Sequence, residues 1–272
     1  DVQRGVEDEE EAAAPRMAPD PAAPTAAEIA EHNCTHLPFR TWCAECVAGR
    51  LDAPPHRRGR SREELKVPEV HVDYCFFRRG DEDECVTALV LKHRNSRALR
   101  AWLVPKKGPQ QETIEAVVQG ILDLGVKGAV TLKCDNESAI VALREAVRTK
   151  LPQGSLVQEP APGESQSNGV VENGVKIFKG LLRTHLLALE RRLGGRLPCE
   201  HAALAWLVEH VTDLVTKYRR GSDRRAPYEV IYGKGVAEAG LEFGESVWFK
   251  HPKLPDDNVR LESRWSQGLW LG

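Results

Sequence analysis

The order of strand-like and helix-like segments between residues 70 and 218 constrains the fold more than any other feature. Three segments rich in β-branched and aromatic residues come first, and the short polar turns between them predict an antiparallel meander. A helix, a strand, a helix, a short strand and two long helices follow. The expected strands are 70–77, 85–91, 99–104, 129–134 and 156–158, and the expected helices are 110–124, 138–151, 169–193 and 199–218. This order predicts a mixed α/β sheet with flanking helices rather than regular βαβ units.

Composition sets the flanking regions apart. Residues 1–31 carry nine acidic and two basic side chains, and the whole chain has a net charge of −2, so the remainder is mildly basic. The acidic, Ala/Pro-rich segment buries too little apolar surface to offset its ordering entropy, which predicts a disordered tail. We expect a basic linker at 51–66, the main domain at 67–235 and the start of a small β module at 236–272. No apolar run is long enough for a membrane span, and an odd number of cysteines favours a reducing compartment.

Three carboxylates occupy informative positions in this pattern. Asp73 lies in the middle of the first strand, Asp135 at the end of the fourth, and Glu172 in the first turns of the long helix. Asp135 would also suit a helix N-cap, and Glu172 would complement a helix dipole. Asp73 has no capping role in mid-strand, where a buried charge is costly. A strand centre, a neighbouring strand end and a helix start can converge, and three carboxylates at that point suit Mg²⁺ or Mn²⁺.

These carboxylates stand within a series of motifs that resembles the integrase catalytic core of copia-type LTR retrotransposons, in the retroviral integrase superfamily. The family's D, D, spacer, E signature matches Asp73, Asp135 and Glu172, with 36 residues between the last two. Further similar segments are NGVVE at 168–172, RAPYEVIYG at 225–233, FGESV at 243–247 and WLG at 270–272. Two positions depart from the family: Glu137 stands where Gly is frequent, and Asn173 stands where copia-type members usually have Arg.

The resemblance implies an RNase H-like fold with a five-stranded mixed sheet. It implies a metal-dependent polynucleotidyl transferase that trims the 3′ ends of element DNA and joins them to target DNA. Water and then the DNA 3′ oxygen would be the nucleophiles, with Mg²⁺ or Mn²⁺ held by the three carboxylates. The implied partners are DNA and further copies of the chain, without a membrane, in a virus-like particle or pre-integration complex of cytoplasm and nucleus. Two alternatives remain: an RNase H-like nuclease, and a decayed or domesticated nucleic-acid-binding protein without catalysis.

Clustered basic residues are candidates for phosphate contacts. Lys176, Lys179 and Arg183 recur at helical spacing after Glu172, and Arg219 and Arg220 follow the second long helix. The alternative is an ordinary solvated surface. Their position around the carboxylates favours DNA binding.

Two short motifs near the start offer imidazole and thiolate ligands. They are His32-x3-His36 and Cys43-x2-Cys46. This ligand set is common for tetrahedral zinc, and residues 32–50 resemble the HHCC zinc module of the same family. The gap between the motifs is six residues, shorter than in the family, and contains Pro38. Two interpretations remain open: a Zn²⁺ site, in which Cys34 could replace one histidine, or a remnant in which the cysteines are spectators.

Overall fold

The computed structural model describes residues 24–50, 67–78, 86–126, 128–151, 156–157, 169–237, 240–252 and 263–272. The basic linker expected at 51–66, Cys85 and most of the expected acidic tail lie outside the described residues.

Seven helices and seven strands occur in these ranges. The helices are α1 (Ala26–Thr35), α2 (Ala44–Arg50), α3 (Gln111–Asp123), α4 (Ser138–Lys150), α5 (Gly169–Leu193), α6 (Ala203–Tyr218) and α7 (Pro227–Tyr232). The strands are β1 (Glu69–Phe77), β2 (Val86–His93), β3 (Leu99–Leu103), β4 (Thr131–Lys133), β5 (Leu156–Val157), β6 (Ser246–Lys250) and β7 (Trp265–Leu269). The element order predicted between residues 70 and 218 is confirmed, although α6 begins four residues later than expected. Among the described helices, none combines the length and the hydropathy that a membrane-spanning segment requires.

The main sheet has the strand order β3-β2-β1-β4-β5. β1 pairs antiparallel with β2, and β2 pairs antiparallel with β3, so the predicted meander is confirmed. β4 runs parallel to β1, and β5 runs parallel to β4 at the sheet edge. β5 contains only Leu156 and Val157. The chain therefore has the predicted mixed α/β architecture, built on four longer strands and one two-residue strand.

Helices cover both faces of the sheet. Val70, Val72 and Leu89 pack with apolar residues of α3 and α4 on one face. Because side chains alternate along a strand, Cys75 and Val90 lie on the other face and pack with residues of α5 and α6. Burial of each such aliphatic side chain stabilises the fold by about 1.5–3 kcal/mol. The sheet thus holds α5, the helix that carries Glu172, against one defined face.

Helix α1 begins inside the segment that was expected to be a disordered tail. The N–H of Glu28 donates to Thr25 Oγ1 at 3.2 Å, and the N–H of Thr25 donates to Glu28 Oε2 at 2.8 Å. This capping box satisfies two N–H groups at the helix start. The expectation of disorder through residue 31 is therefore wrong for residues 26–31, because a local capping signal outweighs the average composition.

A small antiparallel sheet lies near the chain's carboxyl end. β6 and β7 pair with Ser246 opposite Leu269 and Lys250 opposite Trp265. Strands thus occur where the sequence indicated a small β module.

Candidate active site and metal centre

The parallel pairing of β1 and β4 directs Asp73 and Asp135 towards the same part of the sheet. In the parallel pairing of β1 and β4, His71 lies opposite Lys133. Continued by two residues, this register would place Asp135 beside Asp73, and the charge of Asp135 does raise the pKa of Asp73. Asp73 lies within β1, whereas Asp135 follows the end of β4.

Helix α5 brings Glu172 to the same side of the sheet. Asp73 shares its sheet face with Cys75 and with Val90, its partner on β2. That face is covered by α5, whose Val171 belongs to the same apolar cluster as Cys75 and Val90. Glu172 follows Val171 in the first turn of α5 and is exposed. The start of α5 therefore lies over the face on which Asp73 sits.

The pKa of Asp73 records the proximity of the three carboxylates. The pKa of Asp73 is raised to about 6, first by burial and then by the charges of Asp135, Glu172 and Glu137. The Tyr74 N–H, which donates to Asp73 Oδ1 at 2.8 Å, opposes the shift. The side chains therefore repel one another in the absence of a cation. A bound cation would remove this repulsion.

Asp135 is not a helix cap. Its Oδ1 accepts a hydrogen bond from the Asn136 N–H at 2.8 Å, and the N-cap of α4 is Glu137, whose side chain makes no capping hydrogen bond. The capping explanation of Asp135 is therefore wrong. Glu172 does lie in the first turn of α5, so its interaction with the helix dipole accompanies any further role.

Lys107 is a residue beside this site that the sequence analysis missed. Its Nζ lies 2.6 and 2.7 Å from the carboxylate oxygens of Glu137 and 4.7 Å from the centroid of the Phe76 ring. The next residue, Gly108, donates its N–H to the Tyr74 hydroxyl at 2.9 Å, which fixes the loop after β3. A cation thus pairs with Glu137, whose charge is one of those that raise the pKa of Asp73. The Lys-Lys-Gly sequence at 106–108 was the available signal.

The five basic residues singled out in the sequence fall into two places. Lys176, Lys179 and Arg183 lie on α5, and Lys176 and Arg183 are exposed. Lys179 Nζ donates to the Phe76 carbonyl at the end of β1, at 2.7 Å. Arg219 caps the end of α6.

Arg220, the second residue after α6, is partly occupied by contacts within the chain. It donates to the Arg224 carbonyl at 2.9 Å and lies 3.3 Å from Glu229 Oε1. The α5 group is therefore the better-placed candidate for phosphate contacts, since it lies on the helix of Glu172.

The Cys/His group is more closely assembled than the carboxylates. His32, His36, Cys43 and Cys46 are all buried, and one ligand atom from each lies within 4.8 Å of the other three. His32 Nε2 is 3.3 Å from Cys46 Sγ, and His36 Nδ1 is 3.3 Å from Cys43 Sγ and 3.7 Å from Cys46 Sγ. A zinc tetrahedron with bonds of about 2.0 Å to nitrogen and 2.3 Å to sulfur has N···S edges of about 3.5 Å.

The protonation states in this group also fit a metal ion. Burial lowers the pKa of His32 to about 4 and that of His36 to about 3, so both imidazoles are neutral, as metal ligands must be. Burial raises the pKa of the Cys43 thiol to about 12, so its thiolate form calls for a neighbouring cation. Two imidazoles and two thiolates favour zinc among the common divalent ions.

Cys34 lies outside the group. Its Sγ donates to the Ala30 carbonyl at 3.2 Å and to the Gly240 carbonyl at 2.9 Å. The alternative in which Cys34 replaces a histidine ligand is therefore wrong. The short gap containing Pro38 does not prevent the two motifs from meeting.

No protein-family model and no curated protein matches this sequence. Among solved structures, the chain is similar to the HTLV-2 integrase catalytic core domain in complex with magnesium, with 17% identity over 62% of this chain and 100% of that chain and a TM-score of 0.46. It is similar to the catalytic core domain of BIV integrase, with 21% identity over 61% of this chain and 93% of that chain and a TM-score of 0.40. A third similar structure is the simian T-cell lymphotropic virus intasome in complex with PP2A regulatory subunit B56 gamma, with 18% identity over 82% of this chain and 76% of that chain and a TM-score of 0.48.

Proposed function

We propose that the chain is an integrase of the copia-type LTR retrotransposon class, which trims the 3′ ends of element DNA and joins them to target DNA. One observation carries the proposal: after burial, the charges of Asp135 and Glu172 are among the causes that raise the pKa of Asp73, as expected if the three carboxylates share one site. The strand order and directions agree with the RNase H-like fold that the motifs imply.

Asp73, Asp135 and Glu172 would hold Mg²⁺ or Mn²⁺ through their carboxylate oxygens, the ligand type that these ions prefer. When bound, the ions lower the pKa of water and stabilise charge on the phosphodiester. The raised pKa of Asp73 fits this role. Burial and the neighbouring carboxylates both disfavour the charged form of Asp73, and a bound cation would favour it.

Two displacements at phosphorus would follow, without a covalent enzyme intermediate. In the first, water attacks a phosphodiester near the element end, and the bond to the 3′ oxygen breaks, leaving a free 3′ hydroxyl. In the second, this 3′ oxygen attacks a target phosphodiester and expels a target 3′ oxygen. Lys176, Lys179 and Arg183 would bind DNA phosphates and orient the substrate along α5, and Lys107, which pairs with Glu137, would add a further positive charge near the site.

The amino-terminal Cys/His group would hold one zinc ion and order a platform for DNA and partner subunits. We propose DNA and further copies of the chain as partners, acting in a virus-like particle in the cytoplasm and in a pre-integration complex in the nucleus.

The decisive experiment is an assay of the purified full chain on oligonucleotide duplexes that match the ends of its element. With Mg²⁺ or Mn²⁺, the expected products are 3′-trimmed strands and longer joined strands, and the Asp73→Asn variant should yield neither. Cleavage of the RNA strand of an RNA–DNA hybrid without joining would favour a nuclease. DNA binding without products under all metal conditions would favour a domesticated binding protein.

A further inference from the structure

The Cys/His group packs directly against α5, the helix that carries Glu172. Helix α2, which supplies Cys46, crosses α5 in van der Waals contact at Gly49. A Cβ at Gly49 would lie 2.3 Å from Thr184 Oγ1 and 3.0 Å from the Thr184 backbone nitrogen. No side chain larger than glycine fits at this crossing without moving one of the helices. The contact therefore requires α2 to be seated on α5.

Arg50 joins the ligand atoms to α5. Its NH2 donates to Cys46 Sγ at 3.2 Å and to the His36 carbonyl. Its aliphatic stem rests on α5, since a Cβ at Gly180 would lie 3.1 Å from Arg50 Cγ. The guanidinium also lies 5.7 Å from the centroid of the Phe39 ring. One side chain therefore touches a ligand sulfur, the backbone of a ligand histidine and the core helix.

Two further contacts tie the group to α5. The ring of His185 packs edge-on against His36 with centroids 4.8 Å apart, and its Nε2 lies 3.2 Å from the Thr35 carbonyl. Glu45 accepts a hydrogen bond from the Cys43 thiol at 3.4 Å and forms an ion pair with Arg191 of α5 at 2.5 Å. Each link pairs a ligand, or a residue beside one, with a side chain of α5.

We propose that metal binding by the Cys/His group and docking of α2 on α5 are thermodynamically coupled, with Arg50 as the positioning residue that transmits the coupling. The inference rests on the proposed metal site. Arg50 donates a charge-assisted hydrogen bond to Cys46 Sγ while its stem lies against Gly180 of α5, so a shift of α2 on α5 would move this donor. Because coupling is reciprocal, a change at the helix crossing that touches no ligand must lower metal affinity.

The first test measures the zinc affinity of the full chain by competition with a chromophoric chelator. Gly49→Ala should lower zinc affinity by about 10- to 100-fold, the range seen when outer contacts of a metal site are removed. Alanine has the higher intrinsic helix propensity, so a loss cannot come from a weaker α2. Gly195→Ala is the matched control, because a Cβ at Gly195 meets no atom within 4 Å. Its affinity should equal that of the unaltered chain.

The second test covers the case in which Gly49→Ala fails to fold. Arg50→Met keeps an unbranched stem over Gly180 but removes the donor to Cys46 Sγ. It should lower zinc affinity by a similar factor and shift the sulfur-to-cobalt charge-transfer band of the Co²⁺-loaded protein. Arg50→Lys, which keeps one charged donor, should restore part of both effects.

The outcomes separate the inference from the proposal beneath it. An unaltered chain that binds no zinc would overturn both the metal site and the coupling. Zinc binding by the unaltered chain with unchanged affinity and spectrum in Arg50→Met, or with unchanged affinity in folded Gly49→Ala, would overturn the coupling alone.

Discussion

The two candidate metal sites of this chain are built in opposite ways. The Cys/His group is buried, and its four ligand atoms already lie within 4.8 Å of one another. At the carboxylate site, Asp135 and Glu172 are exposed, and the three residues form no group of that closeness among the described residues. The first site is held by packing against α5, whereas the second depends on a strand register and on a helix start.

The difference follows from the free-energy cost of bringing each set of ligands together without a metal ion. Neutral imidazoles and thiols can be buried together, because neither carries a charge at neutral pH. Three carboxylates repel one another, so Asp135 and Glu172 stay exposed, and burial together with this repulsion raises the pKa of Asp73 to about 6. A structural site can therefore be closed, while a site for phosphodiester chemistry must remain open to its substrate.

The largest expected effect is loss of catalysis when a carboxylate becomes an amide. Asp73→Asn, Asp135→Asn and Glu172→Gln should each reduce 3′ processing and strand transfer by at least about 10²-fold, the effect of removing one group that stabilises transition-state charge. The measurement is product yield from labelled oligonucleotides with Mg²⁺ and with Mn²⁺. Zinc content should be unchanged in all three variants.

Glu172 is the ligand most open to challenge. If Glu172→Gln retained most of its activity with Mn²⁺, the third ligand would lie elsewhere. Glu164 and Glu159, which lie outside the described residues, would then be the next candidates.

The second-largest expected effect is the loss of zinc from the Cys/His group. The double variant Cys43→Ser plus Cys46→Ser should lose the single zinc ion expected per chain. At free zinc 1,000 times the dissociation constant, binding stabilises the fold by about 4 kcal/mol, so Tm should fall by about 10 °C. Weak DNA cleavage should survive, because the carboxylates lie elsewhere.

Metal analysis and calorimetry check this prediction. Cys34→Ser is the matched control and should keep its zinc, since Cys34 bonds to backbone carbonyls outside the group. Zinc well below one per chain in fresh protein, with unchanged assembly and activity in the double variant, would identify the group as a remnant.

The third effect concerns DNA affinity. With about five phosphate contacts, log affinity should fall with log salt at a slope near −4 to −5. Replacing Lys176, Lys179 and Arg183 by Ala should flatten the slope by up to about 3, because each phosphate contact contributes about 0.9. Replacing Arg219 and Arg220 should matter less. The measurement is fluorescence anisotropy of labelled DNA at salt concentrations from about 50 to about 200 mM. Binding that does not change with salt, or that only one DNA sequence can compete for, would contradict the prediction.

The smallest effect is on stability of the metal-free protein. The folded pKa of Asp73 is raised to about 6, above the unfolded value near 3.9, so the native state binds more protons between these pH values. The contribution of Asp73 to stability is therefore present below about pH 4 and is lost as pH rises through about 6. Asp73→Asn should raise Tm by a few degrees at pH 7 and by little at pH 4.

Thermal melts across this pH range check the sign. Asp123→Asn, at the exposed end of α3, is the matched control for removing one carboxylate. A lower Tm for Asp73→Asn at pH 7 would mean that the carboxylate is stabilised rather than repelled.

Local sequence patterns predicted much of the framework. The bounds of α5 match the helix expected at 169–193, and the strands around Asp73 appear in the expected order. Helical and strand periodicities depend only on residues close together in the sequence, so they can be recognised without knowledge of the fold. The start of α1 was missed because a capping box at Thr25 lies within a segment whose average composition indicates disorder.

The sequence by itself determined which residues could serve each site: three carboxylates in strand and helix contexts, and two Cys/His motifs. Only the tertiary structure decided that the charges of Asp135 and Glu172 reach Asp73 and that Lys107 pairs with Glu137. It also decided that the two Cys/His motifs meet, while Cys34 bonds to backbone carbonyls outside the group. These relations join segments far apart in the chain. They are set by the packing of side chains between elements, which no short window of sequence contains.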